Sequence, residues 1–154
     1  MRSLSILTSM FVGSLLAAGC AAQANKCLQS PVATDKVPGY EESIKTCKAA
    51  LKADRKRADV FHQLVGLLRV GNRHDEIVAW SKLILESEPE HPEATYALAV
   101  ALRRLGQPAR ALESYQAFAE KHPESADPYY GMALCYEAIG ERQKALDAYN
   151  TYVE

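Results

Sequence analysis

Gly106 and Gly140 lie 34 residues apart, and so do Pro89 and Pro123, Tyr96 and Tyr130, Ala111 and Ala145, and Tyr115 and Tyr149. A fixed period of about 34 residues marks a helix–turn–helix unit stacked on copies of itself. One such unit cannot bury its apolar face alone, so its neighbours must cover it. Arrays of this kind present a surface to other proteins and seldom hold a reaction centre. The period therefore predicts an all-α chain that works by binding.

The apolar positions place the units. Ile44, Cys47, Ala50 and Leu51 recur at helical steps and form a half unit over Tyr40–Arg57. The basic run Lys52 to Arg57 closes that helix, where positive charge suits the negative helix end. Three units follow, at 58–91, 92–125 and 126–154. Phe61, Leu64, Val65 and Leu68 line the first helix of the first unit, which ends at Gly71–Asn72. Ile77, Val78, Trp80, Leu83 and Ile84 line its second helix. The next unit repeats the plan with Tyr96, Leu98, Ala99 and Leu102, then Ala111, Leu112, Tyr115 and Phe118. The last has Tyr129, Met132, Ala133 and Tyr136, then Ala145, Leu146, Tyr149 and Tyr152. Asp127–Pro128 reads as a helix cap followed by proline in the first helical position. The pairs Ala99 with Ala111 and Ala133 with Ala145 should let two helices approach closely, whereas Val65 and Ile77 hold those places in the first unit.

The first 24 residues read as an export leader. Arg2 precedes the apolar run Ile6 to Leu16, which is too short for a permanent span and ends in small residues. Ala17–Ala18–Gly19–Cys20 resembles a bacterial lipobox; cleavage before Cys20, leaving residues 1–19 as signal peptide, would make that cysteine the lipid-bearing terminus. Ala22–Gln23–Ala24 offers a second cleavage place, which would release a soluble chain beginning at Asn25. Ala21 is not the aspartate linked to inner-membrane retention, so the resemblance implies the outer membrane, facing the periplasm. Residues 20–39 are expected to be linker, with Ser30, Pro31, Thr34, Asp35, Pro38 and Gly39 as turn formers.

With Cys20 set aside, Cys135 sits in a helical segment between Leu134 and Tyr136, where a thiol acts as a small apolar group. Cys27 and Cys47 remain as a candidate disulfide in an oxidising compartment, or as two separate thiols. No C-x-x-C spacing occurs, so a zinc or redox centre is not expected.

The units from 58 onward, with glycine, alanine, tyrosine and proline in register, resemble the tetratricopeptide repeat family, and the resemblance covers Tyr40 to Glu154. It implies a right-handed superhelical stack of antiparallel helix pairs. In this family the first helices of successive repeats line a concave groove for peptides or partner helices. Helical spacing then makes His62, Arg69, Tyr96, Val100, Arg103, Tyr130, Leu134 and Glu137 the candidate groove. Tyrosine and arginine suit such a surface because they join large area to a polar handle; Tyr96 and Tyr130 are equally candidates for packing between helices. The lysine and asparagine set that clamps a C-terminal carboxylate in some members is missing, so a chaperone-tail clamp is not expected. The chain is also similar to small repeat lipoproteins that pilot secretin or pilus subunits or help assemble outer-membrane proteins.

A second candidate surface lies at the last helix, where Leu146, Tyr149, Tyr152 and Val153 would be left uncovered and open to a partner or a second protomer. A net charge of −1 carries no basic footprint, so nucleic acid is not an expected partner. His62, His74, His91 and His122 are scattered; the last three read as surface turn residues, and no nucleophile–base or metal-ligand spacing appears. The expectation is a binding protein with a protein partner, a lipid anchor in the membrane, and no cofactor, metal or catalytic residue. The alternative is a soluble periplasmic accessory subunit of an enzyme complex.

Overall fold

The computed structural model describes residues 21–30 and 38–154, and the described residues contain helices and turns but no strand. The helices are α1 over residues 21–28, α2 (Tyr40–Ala53), α3 (Ala58–Val70), α4 (His74–Ser87), α5 (Pro92–Arg104), α6 (Pro108–Lys121), α7 (Asp127–Ile139) and α8 (Arg142–Val153). From α2 onward each is 12 to 14 residues long, too short to persist alone in water. Burial between neighbours must stabilise them. The chain divides into two compact units, one through Gly71 and one from Asn72. The leader 1–19, and Cys20 with it, lies outside the described residues.

In the first unit α2 packs on α3. Ile44, Cys47, Ala50 and Leu51 of α2 are buried, as are Phe61, Leu64, Val65 and Leu68 of α3. The Tyr40 hydroxyl donates to the Leu67 carbonyl at 2.6 Å, joining the start of α2 to the end of α3. The stretch expected to be linker holds a helix instead. Ala21, Ala22, Gln23, Ala24 and Lys26 are good helix formers, and Ala24 and Cys27, three residues apart, turn one buried face inward. Cys27 is bonded to Cys47 of α2, S–S 2.07 Å. The Gln63 side-chain amide donates to the Ser30 carbonyl, a second tie between this segment and α3.

In the second unit α4 packs on α5, α5 on α6, α6 on α7 and α7 on α8. Short turns make neighbours antiparallel. Each turn inside a repeat uses one left-handed residue: Asn72 at φ 54°, Gly106 at 70° and Gly140 at 85°. These three are in register at 34-residue intervals, so Asn72, and not Gly71, is the counterpart of the two glycines. Gly71 itself has φ −84°. Asparagine can take this conformation because its short side chain bonds locally.

Two turn assignments change. Asp127 lies inside the first turn of α7, and Ala126 is the capping residue, without a side-chain bond. Asp127 favours α7 through its charge at the positive helix end. His91 is buried and is not a surface turn residue: its Nδ1 accepts from the Ala94 N–H at 3.2 Å and caps α5. Ala99, Ala111, Ala133 and Ala145 are all buried, and Ala99 and Ala111 share one core cluster with Leu102, Leu112, Tyr115 and Cys135.

Candidate functional site

The first helices of the last two repeats, α5 and α7, touch each other. Tyr96, Val100 and Arg103 stand on α5 at steps of four and three, and Tyr130, Leu134 and Glu137 repeat those steps on α7. Six of the eight candidate groove residues thus lie on two adjacent helices. Tyr96, Val100, Arg103 and Leu134 are half-buried, while Tyr130 and Glu137 are exposed. His62 and Arg69 are exposed on α3, in the first unit.

Tyr96 does more packing than display. Its ring meets Tyr115 edge-on at 5.8 Å and Phe118 at 5.2 Å, both on α6. Among the described residues Tyr115 is the largest fully buried side chain. Its hydroxyl accepts from Arg103 Nε at 3.5 Å, a long bond. Burial pushes the Tyr115 phenol above its ordinary range, against the opposing pull of the Arg103 bond. On its other side the ring lies against Gly131 of α7, where a Cβ would overlap it. Sequence reasoning misses Gly131. Its signal is a glycine inside a 13-residue helix, which costs about 1 kcal/mol relative to alanine and asks for a reason.

The same set returns 34 residues later. Tyr130 meets Tyr149 at 6.0 Å and Tyr152 at 5.3 Å, standing in for Tyr96 against Tyr115 and Phe118. Glu137 takes the place of Arg103 and reverses the charge. The Tyr149 hydroxyl donates to Glu137 Oε2 at 3.1 Å. Desolvation first, and the carboxylate beside it second, raise the Tyr149 phenol. This copy is open: Tyr130 is 46% exposed, Tyr152 41% and Leu146 53%, and Val153 is exposed as well. A cleft of about 490 Å³ runs beside α8, lined by Glu137, Gly140, Arg142, Ala145, Leu146 and Tyr149.

Among the described residues no cluster of three or more histidine, cysteine, aspartate or glutamate side chains is arranged to hold a metal. Among the same residues no helix is long and apolar enough to cross a membrane.

Residues 72–152, just over half of the chain, match the family model described as anaphase-promoting complex, cyclosome, subunit 3, which is of tetratricopeptide-repeat type. The chain belongs to this tetratricopeptide-repeat family. Among solved structures, it is similar to MamA residues 41 to the end from Desulfovibrio magneticus RS-1, at 20% identity and a TM-score of 0.72 over 90% of this chain and 74% of that one. It is also similar to MamA AMB-1, at 19% identity and a TM-score of 0.62 over 75% of this chain and 68% of the other. YrrB, described as a tetratricopeptide-repeat protein with an unusual peptide-binding site, is 24% identical with a TM-score of 0.64, over 74% of this chain and 59% of YrrB. At these identities the likeness shows the fold: an all-α tetratricopeptide solenoid. No curated protein matches the chain. Tetratricopeptide arrays are protein-interaction modules that bind through extended repeat surfaces.

Proposed function

We propose that this tetratricopeptide-repeat protein is an interaction scaffold of the bacterial cell envelope, tethered through lipid on Cys20, that takes a partner peptide or helix on the face shared by α5 and α7. One observation carries the binding face: Val100 and Arg103 on α5, and Leu134 and Glu137 on the adjoining α7, repeat at identical spacing with apolar and charged groups side by side. A peptide laid across these helices would meet an apolar pair flanked by one cation and one anion. The peptide-binding site described for YrrB supports the same use of the fold. Such a scaffold would help hold an envelope assembly together.

The leader supports export, and the bond between Cys27 and Cys47 suits an oxidising compartment. Ala24 supports cleavage before Cys20: at 2% exposed it is part of the α1 packing face, and a chain beginning at Asn25 would discard it. Mass spectrometry of the mature protein is expected to find a lipidated Cys20. A free Asn25 would replace the tethered scaffold with the soluble accessory subunit.

Photo-cross-linking in cells, with a probe at Val100 or Leu134, tests the face. Both positions are half-buried, so each probe sits beside the proposed peptide path. Adducts to a protein from these two positions are expected. Adducts obtained only from Leu146 and Tyr152 would overturn the groove reading.

A further inference from the structure

We infer that the lysine-bearing face of α2 is a contact surface for anionic phospholipid headgroups. The inference deepens the tethered-scaffold reading and rests on it, since lipid on Cys20 would set that face beside a leaflet. The chain's net charge of −1 hides a sharp division. From Asn72 onward acidic residues outnumber lysine and arginine by fourteen to eight, whereas between Lys45 and Arg57 six cations stand against one acid, Asp54. Positive charge is therefore gathered at α2 and the turn after it.

Helix α2 sorts these groups by face. Ile44, Cys47, Ala50 and Leu51 turn inward and are buried. Lys45, Lys48 and Lys52 stand at steps of three and four, which makes them a separate stripe, and the exposed Arg55 and Lys56 follow in the turn. Arg57 is taken up by Asp59 at 2.7 Å. Lys45 meets Glu42 at 3.5 Å, but their side chains are 79% and 57% exposed, and a pair this open holds its partners weakly.

The covalent path from the anchor limits the distance. Residues 21 to 27 run as helix α1, about 9 Å in length, and Cys27 is bonded to Cys47 with their Cα atoms 4.9 Å apart. Lipid on Cys20 would thus keep Cys47, the neighbour of Lys48, within about 20 Å of the headgroups. Salt confines electrostatic attraction to about 8 Å, so the patch needs such a tether to meet the leaflet often.

The residue types choose the occupant. Lysine is a hydrated point charge that attracts phosphate without fixing its geometry, and the attraction grows with each lysine brought to the leaflet. No aromatic residue stands among the cations from Lys45 to Arg57. The stretch thus lacks the stacking platform used on nucleic acid and the aromatic anchors of a protein hot spot.

The test treats the mature, membrane-extracted protein with a lysine-acylating reagent and reads each lysine by mass spectrometry. It compares vesicles of phosphatidylglycerol and phosphatidylethanolamine with vesicles of phosphatidylcholine. On the anionic vesicles Lys45, Lys52 and Lys56 should react about fivefold more slowly, with Lys82 and Lys144 unchanged, and high salt should erase the difference. Equal rates on the two kinds of vesicle, or slowing that persists in high salt, would overturn the contact. Slowing in intact envelopes that survives removal of the lipid by detergent would assign a protein to this face and overturn the lipid occupant. Tighter binding to single-stranded DNA than to the anionic vesicles would overturn it in favour of nucleic acid. The N-terminal peptide in the same spectra reads the anchor separately: a free Asn25 overturns the tether, while the lysine rates at excess vesicles still decide the contact.

Discussion

The Tyr115 ring of α6 lies against Gly131 of α7, with its Cε1 and hydroxyl oxygen both 2.6 Å from where a Cβ on that glycine would stand. Tyr96 and Arg103 hold the ring from α5, at 5.8 Å between ring centres and 3.5 Å to the hydroxyl. Three helices of two successive repeats therefore converge on one side chain. A fully buried aromatic on this scale contributes several kcal/mol of packing, about 3–5 kcal/mol when cut to alanine.

Gly131→Ala should destabilise the protein. Alanine would gain about 1 kcal/mol in helix propensity, but overpacking a held ring costs about 1–3 kcal/mol. The expected net loss is about 1 kcal/mol, read as a lower urea midpoint at unchanged slope. In a Tyr115→Leu background the same change should turn stabilising, because the obstruction is gone while the propensity gain remains. A loss of equal size in both backgrounds would mean that the ring is not the obstacle.

Cys27→Ser together with Cys47→Ser should cost about 3 kcal/mol, the chain-entropy value for a loop of this size. The loss should be concentrated at α1, which is only eight residues long over its described part and leans on that bond, with Gln63 tying down only Ser30 beyond it. Hydrogen exchange at residues 21–28 should rise to near that of an unfolded peptide, while α5 to α8 keep their protection. Unchanged protection at residues 21–28 would mean that packing of Ala24 suffices.

Gly106→Ala should cost about 1–2 kcal/mol from backbone strain alone, since the residue sits at φ 70° with no heavy atom within 4 Å of the added methyl. Asn72→Gly, at the counterpart position with φ 54°, should be neutral or slightly stabilising. Thermal unfolding should show a lowered midpoint for Gly106→Ala and no lowering for Asn72→Gly if the left-handed requirement governs both turns.

Alkaline titration should separate the tyrosines. Tyr115, raised first by burial, should ionise above the ordinary value of 10.0. The folded form prefers the neutral phenol, so this contribution to stability is fully present below the ordinary value and is lost as pH rises through the higher folded one. The difference in tyrosinate absorbance between the parent and Tyr115→Phe should therefore appear late in the titration, coincident with unfolding. An early, reversible step in that difference would show that the ring is accessible.

The helices were legible because their causes are local. Apolar residues at helical spacing set α2 to α8, and the buried alanines stand where the repeat pattern puts them. Helix α1 was not legible: its sequence carries few large apolar groups, and its inward face is held through Cys27 by Cys47, distant in the chain. His91 was misplaced for a related reason. A histidine before a proline looks like any turn residue until its ring is seen to cap α5.

The 34-residue period by itself determined the helix pairs, the turns between them and the equivalence of Tyr96 with Tyr130 and of Tyr115 with Tyr149. Its second copy, in the last helix, was expected to stand uncovered at Leu146, Tyr149, Tyr152 and Val153, but how far each copy is covered was left open, because equivalent sequences make equivalent local structure whatever packs above them. Only the tertiary structure decided that. Where α7 lies over Tyr115 the aromatic set is interior, 1% exposed at its centre; at α8 the same set faces outward, with Tyr130 46% exposed. Burial is a property of the neighbour as much as of the residue, and a repeat written twice acquires two roles when only one copy is covered.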